Sequence, residues 1–584
     1  MKNILMIVIL FLPVGLLLGA GPTVISLSPA PERIDNPVDA DLTFRFDQAI
    51  DPASINHQSI SIYGRWSGMC PGTLSVESNN TLVRFAPDRP FSHGEWVTVH
   101  LRKSILGANG DSLEAPFTYG YWTYSARGSL SLMEADRIPV RREGEGHIQT
   151  YGAHALDLNQ DGFSDYTVPN EVSNDIRVFL NDGQGNYRDF SILPLPNANR
   201  PSTNEAADFN GDGISDLAIG STTNNNVNIC LGDGLGSYGS ITSYPAGQGV
   251  RGLAILDIEC DGDMDIVTAN RNAGNLAILR NRGDGVFEAP TFLDTPGSGE
   301  TAIATADVNR DGIADLYVGA YSSGEMSVLL GDGQGNLTVA HTQSAGGQPW
   351  MIAVGDINDD GYADVVSANA NNQTVGVMLA DRIGGFASAT TYPSGANFPL
   401  AIDLGDLDGD GDLDMVVSNY GGRWRVFANN GSGGFSVAGD YDAESAASCA
   451  VLHDRDNDGD LDVTAIDEIA DLLFIFENPG VTAIEPAPLN LAQTFRLEQN
   501  FPNPFNPETT LTYSMASGGE VELSLYNVRG EKLATLFAGR QAAGTHHLKW
   551  NGLDADGREV VSGIYFCYLR VNGASQTIKM MLMR

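Results

Sequence analysis

Positive charge is what this chain has least of. Its 33 lysines and arginines stand against 73 aspartates and glutamates, a formal net charge of −40 over 584 residues. No basic face can be assembled from that balance, which excludes a general nucleic-acid binder. Cysteine is scarce too. The five, Cys70, Cys230, Cys260, Cys449 and Cys567, lie far apart, are odd in number and form no C-x-x-C pair, so neither a disulfide framework nor a zinc site is implied. Long apolar runs are limited to one. Lys2, the stretch Ile4 to Leu18 and the small residues Gly19, Ala20 and Gly21 read as a secretory leader over 1–21, interrupted by Pro13 and too short for a membrane span. No comparable run follows, so no transmembrane span is expected in the mature protein, and no Cys follows Ala20 to carry a lipid anchor. Enzyme signatures are missing as well: none of the nine histidines forms H-E-x-x-H and no G-x-S-x-G elbow occurs. Gly234-Leu235-Gly236-Ser237-Tyr238-Gly239 spells G-x-G-x-x-G but follows a hairpin strand with no helix after it, and so reads as a turn.

What the chain has in plenty is glycine, 67 residues that favour turns over long helices, and one acidic pattern. D-x-[DN]-x-D-G-x-x-D, with one Glu variant, occurs seven times, its first Asp at 157, 208, 257, 307, 356, 406 and 454. A period near fifty residues means one supersecondary unit per repeat. Oxygen-bearing side chains at positions 1, 3 and 5, a Gly at 6, a free carbonyl at 7 and an Asp at 9 suit a hard cation that wants many oxygens, which is calcium. An EF-hand would need Glu at position 12, where Val168, Ile219, Thr268, Val318, Ser367, Val417 and Ala465 stand instead. The flanks, such as Ala302 to Ala306 and Leu316 to Ala320, are short, mostly apolar and partly β-branched, so each loop joins two strands. Two carboxylates about 4 Å apart repel by roughly 1 kcal/mol in water and about 4 near a protein surface. Summed over the loops, that rivals the roughly 5–15 kcal/mol holding a domain together, and a cation is needed to offset it.

Each repeat reads as strand, acidic loop, strand, polar turn, strand, Gly-rich turn, strand. Four-stranded units repeated radially make a β-propeller, with seven blades expected over 127–480. The loops, together with Gly-rich turns ending in Tyr187, Tyr238, Phe287, Phe386 or Phe435, resemble FG-GAP or VCBS repeats, the family of the integrin α-subunit propeller. The resemblance implies up to seven calcium ions. Asp157, Asn159, Asp161 and Asp165 with the carbonyl of Phe163 would hold the first, and Asp208, Asn210, Asp212, Ile214 and Asp216 the second. Asp257, Glu259, Asp261, Asp263 and Asp265 follow, Glu259 being the departure that distorts or weakens its site. Then come Asp307, Asn309, Asp311, Ile313 and Asp315, and Asp356, Asn358, Asp360, Tyr362 and Asp364. The sixth set is Asp406, Asp408, Asp410, Asp412 and Asp414, and the seventh Asp454, Asp456, Asp458, Asp460 and Asp462. After the seventh loop the chain runs out of a fourth strand, while a spare one precedes the first loop at Ser129 to Val140; it is expected to complete the seventh blade as a clasp.

Residues 22–126 alternate β-rich runs with turns, a small sandwich. Leu42-Thr43-Phe44-Arg45-Phe46, Ile50-Asp51-Pro52-Ala53-Ser54, Phe85-Ala86-Pro87 and Phe91-Ser92-His93-Gly94 resemble a bacterial Ig-like domain, which implies a spacer. Residues 481–494, with Pro486 and Pro488, read as a linker. Over 495–584, Phe501-Pro502-Asn503-Pro504-Phe505-Asn506-Pro507, strands at Val521 to Tyr526 and His547 to Trp550, a hairpin turn at Asp554 and Asp556, and the last strand with Lys579 and Arg584 resemble the Ig-like sorting domain of type IX secretion cargo; a flagellar hook-cap Ig-like fold shares the pattern. The fold class expected is therefore all-β, a seven-bladed β-propeller flanked by two Ig-like sandwiches.

Alternating strand direction puts the acidic loops and Gly-rich turns on one face of the ring. The other face would carry Asn224, Asn225, Asn226, Arg271, Asn272, Tyr321, Trp350, Asn371, Asn372, Phe398, Tyr420, Arg423 and Trp424. Amides with exposed aromatics suit an extracellular glycan or a protein partner, with Trp350, Phe398, Tyr420 and Trp424 as the ligand-binding residues. Replacing Trp350 and Trp424 together is expected to abolish binding at little cost in stability. The alternative is a secreted polysaccharide lyase on a propeller scaffold, with loop aspartates as its carboxylates; seven near-identical copies argue against it, and no enzyme is expected. Arg282-Gly283-Asp284, an integrin-recognition tripeptide, falls in a Gly-rich turn and reads as structural.

Overall fold

The structure is a computed structural model that describes residues 21–480 and, beyond them, 495–497, 500, 503, 505–515, 518–527, 532–542, 544–553, 555, 558, 560–571 and 574–582. The expected leader (Gly21 apart), the linker, the turn residues Asp554 and Asp556, and Arg584 lie outside the described residues. Regular elements among the described residues are strands and two short 3-10 turns, an all-β chain that divides into two units after residue 481.

The repeats form seven four-stranded antiparallel sheets of a β-propeller. The fourth shows the plan: Glu300–Ala306, Asp315–Ala320, Glu325–Gly331 and Leu337–Ser344, each paired with the next. Asp315–Ala320 is buried along its whole length, because neighbouring sheets cover both its faces, whereas Leu337–Ser344 at the rim is largely open. The first strand of each sheet packs on the first strand of the next, and that of the seventh on that of the first, which closes the ring. The seventh sheet takes its fourth strand from before the first, Met133–Pro139, with Leu472 opposite Pro139 and Glu477 opposite Met133. The expected clasp is present, a few residues shorter than the apolar pattern indicated.

Ahead of the ring lies a sandwich of two four-stranded sheets around Phe44, Phe85, Val97 and Val99. It is no free spacer: Trp66 is buried in the same core as Tyr166 and Val463 of the ring. The C-terminal unit pairs a three-stranded sheet with a four-stranded one around Tyr513, Leu523, Trp550 and Leu569, its last strand Ala574–Leu582 alongside Gly563–Val571.

Candidate functional site

Six of the acidic loops share one hydrogen-bond plan. The first Asp accepts the N–H groups of positions 5 and 6, as Asp356 does from Asp360 (3.0 Å) and Gly361 (2.6 Å). The last Asp accepts the N–H of position 2 with one oxygen and that of the residue closing the third strand with the other. Asp364 takes these from Ile357 at 3.1 Å and Ala380 at 2.6 Å. Position 5 accepts from position 7, as Asp161 does from Phe163, and in the first, second and fourth loops the Asn at position 3 also reaches it through Nδ2, 2.9 Å from Asn159 to Asp161. The Gly at position 6 holds positive φ, +84° at Gly361, which a side chain would oppose. Backbone donors thus hold the carboxylates inward before any ligand arrives, and each oxygen retains a lone pair.

Burial raises these acids. Asp364 and Asp414 are pushed up to about 8 and Asp165 and Asp216 to about 7, in each case first by desolvation. Ionised together they need a cation, and ligand atoms of Asp406, Asp408 and Asp414 already lie within 4.8 Å of one another. The donor set, oxygen only and with backbone carbonyls to hand, fits calcium. Glu259, at position 3 of the third loop, forms an ion pair with Arg280 just past the third strand of its sheet.

The N-terminal sandwich lies over this loop face. Arg89 Nη1 is 2.9 Å from Asp157 Oδ2, Arg33 Nη1 is 2.6 Å from Asp359 Oδ1, and Arg102 Nη2 donates to the carbonyl of Gly262 at 2.6 Å. Backbone donors join them, Thr118 to Gly312 and Ala126 to Gly459, both at 2.7 Å. Behind the loops a cavity of about 1540 Å³, lined by the first strands of all seven sheets, follows the ring axis. Arg65 of the sandwich enters it and pairs with Asp403 at 2.9 Å, while Glu205 deeper in is pushed up to about 7 by burial. Sequence reasoning missed this docking, whose only trace was a set of arginines in an acidic chain.

On the other face the turns converge on the axis. Trp350 lies edge-on to Tyr321 (5.1 Å between centroids) and Phe398 (5.5 Å), and Phe398 edge-on to Tyr420 (6.5 Å). Arg271 lies 4.9 Å from both the Tyr321 and Trp350 rings, and Trp350 Nε1–H donates to the Tyr151 hydroxyl at 3.2 Å. Glu171 pairs with Arg251 at 3.0 Å and shares Gln149 with Glu468. Tyr420, Val172 and Ile469 are exposed around this mouth. Three of the four expected ligand-binding residues, Trp350, Phe398 and Tyr420, therefore stand together. Trp424 does not join them: it is 1% exposed, packs against Phe474 and Phe476, and gives its indole N–H to the Cys449 carbonyl at 3.0 Å. The strand Arg423–Asn429 begins at Arg423, so Trp424 takes the inward alternation, opposite Ser418. Removing Trp424 would open the core, which overturns the expectation of an innocuous double replacement.

Comparison with known families matches residues 19–126 to a bacterial Ig-like domain and 506–575 to the FlgD Ig-like domain. No curated protein matches the chain. Among solved structures, BBS1N in complex with ARL6DN is 14% identical, covering 61% of this chain and 99% of its own at a TM-score of 0.43. An Agrocybe aegerita lectin described as recognising non-reducing terminal N-acetylglucosamine is 19% identical, with 55% and 87% covered and a TM-score of 0.37. A functionally unknown protein from Desulfotomaculum acetoxidans is 14% identical, with 65% and 96% covered and a TM-score of 0.37. Likeness at that level carries no functional information. The FG-GAP-like repeat matches six overlapping stretches, 157–219, 208–268, 257–318, 307–367, 356–417 and 406–465. They run through all seven acidic loops and take in more than half of the sequence, so the chain belongs to the FG-GAP-like repeat family.

Proposed function

We propose that this protein is a secreted or cell-surface, calcium-binding β-propeller that binds an extracellular glycan or protein at the uncovered end of its ring. It works by binding and not by catalysis, and the type IX secretion machinery exports it through the C-terminal Ig-like domain. The observation that carries the reading is the run Tyr321, Trp350, Phe398 and Tyr420 around the axial cavity, on the face that the N-terminal sandwich leaves open. Half-exposed rings supply large contact area at low entropic cost, and buried Glu171 and Glu468 beside them supply polar specificity. Calcium in the loops sets the ring geometry on which that aromatic run depends.

The test is glycan-array and pull-down binding with the full chain in calcium. Trp350→Ala and Phe398→Ala are expected to lose binding at least tenfold while melting as cooperatively as the parent. Binding unaffected by both variants, or release of product from pectin-like polysaccharides, contradicts the reading. For export, removal of 495–584 is expected to keep the protein from the medium; secretion at the parent level contradicts that part.

A further inference from the structure

The seventh loop breaks the plan of the other six. Their position 2 is apolar (Leu158, Phe209, Ile258, Val308, Ile357, Leu407), and its N–H donates to the last Asp. In the seventh loop position 2 is Arg455, whose guanidinium turns into the loop. Its Nε lies 3.3 Å from Asp462 Oδ2, and its Nη2 lies 3.4 Å from Asp456 Oδ2 and pairs with Glu477. Glu477 ends the third strand, where the other sheets carry Leu180, Leu231, Arg280, Leu330, Leu379 and Ala428. Arg280, at the matching position of the third sheet, pairs with Glu259 of its loop and not with the last Asp, and Asp265 accepts the N–H groups of Ile258 and Asn281.

Carboxylates of the seventh loop fall into two groups with ligand atoms within 4.8 Å of one another: Asp454, Asp456 and Asp458, and Asp456, Asp462 and Glu477. Buried oxygens of Asp454, Asp456, Asp460 and Asp462 have no hydrogen-bond partner, though Asp454, Asp460 and Asp462 are at most 2% exposed; that of Asp462 faces Arg455 Nε in an ion pair without a hydrogen bond. No buried carboxylate oxygen of the first six loops is in that condition. The Arg455 guanidinium already stands as the cation beside Asp462, so the unpartnered oxygens of Asp454, Asp456 and Asp460 mark where another is wanted.

We propose that the seventh loop is a separate, weaker calcium site, in which Arg455 holds Asp462 and Glu477 and leaves the ion to Asp454, Asp456, Asp458 and Asp460. The proposal rests on the calcium reading of the loops. Calcium takes six to eight oxygens, so the loss of Asp462 weakens the site, and a guanidinium that never deprotonates repels the ion beside it. The site lies where the ring closes and the sandwich docks: Asp454 Oδ2 is 3.1 Å from His93 Nδ1 of the sandwich, and Gly459 accepts the Ala126 N–H. As free calcium falls, this contact is the first to lose its ion.

Calorimetric calcium titration of the full chain, with metal counted by mass spectrometry, tests this. Tight sites are expected together with one at least tenfold weaker. Arg455→Leu, the residue of the first and sixth loops, should bring the weak site into the tight class. Asp462→Asn should leave the weak site unchanged, whereas Asp414→Asn in the sixth loop should remove a tight one, so a poorly folding Arg455 variant does not decide the matter. Equivalent sites throughout, no tightening in a folded Arg455→Leu, or loss of the weak site in Asp462→Asn overturns the proposal. A chain that binds no calcium fails the parent reading instead.

Discussion

Acidic loops crowd one face of the ring and polar turns the other, yet the acidic face is the one buried under another domain. Carboxylates raised by burial, with arginines of the sandwich among them, make the loop face a structural joint. The turn face has rings and arginines stacked at its centre and nothing from the sandwich inserted among them, and it is the face on which we propose that a ligand binds. Charge density alone does not identify a binding surface. What matters is whether the charges are already answered from within the chain.

The comparison can be broken most forcefully by pH. Without calcium, the folded ring holds protons on Asp364, Asp414 and Asp165, pushed up to about 8, 8 and 7, that the unfolded chain has released above its ordinary aspartate value of about 4. The folded state then binds more protons, so this stability is fully present below about pH 4 and is lost as pH rises through 7 to 8. The chelated protein is expected to melt higher at pH 5 than at pH 8. In saturating calcium the order reverses, because protons compete with the ion for the same oxygens. Melting curves at both pH values, with and without chelator, check both signs.

Next in size is a contrast between two tryptophans. Trp424→Ala should cost about 3–5 kcal/mol by emptying a core site, and Trp350→Ala no more than about 2, as measured by urea unfolding. Equal losses would mean that Trp350 also serves the core. Smaller again is Arg65→Ala, which leaves buried Asp403 without its cation and should cost about 1–3 kcal/mol, together with faster proteolysis at the junction near residue 126. Arg33→Ala removes a largely exposed ion pair with Asp359 and should change stability by no more than about 1 kcal/mol. A larger loss there would mean that the sandwich hangs on its rim contacts.

Much of the ring was legible because each loop needs Asp, Asn and Gly at fixed offsets, a constraint that writes the repeat into the sequence. The clasp was legible from a missing strand at one end and a spare one at the other. Trp424 was misread because a tryptophan two residues past a Gly-Gly turn can face either way, and only its pairing opposite Ser418 fixes the inward side. Docking of the sandwich was not legible at all: Arg33, Arg89 and Arg102 are single residues far in sequence from the loops they meet, as is Arg65 from the inner-strand Asp403, and no local pattern marks them. Arg455 was in plain view as the one charged residue at position 2, but its significance depends on Glu477 lying across from it.

Scanning calorimetry of the intact chain with calcium and with EDTA at pH 7.5 reaches the central claim most directly. Each site filled at 100 times its Kd adds about 2.7 kcal/mol, so chelation is expected to lower the ring's melting temperature by at least about 10 °C, and restored calcium to recover it. Superimposable curves in the two conditions would contradict the account, since the loops would then stand without the ions that their carboxylates require.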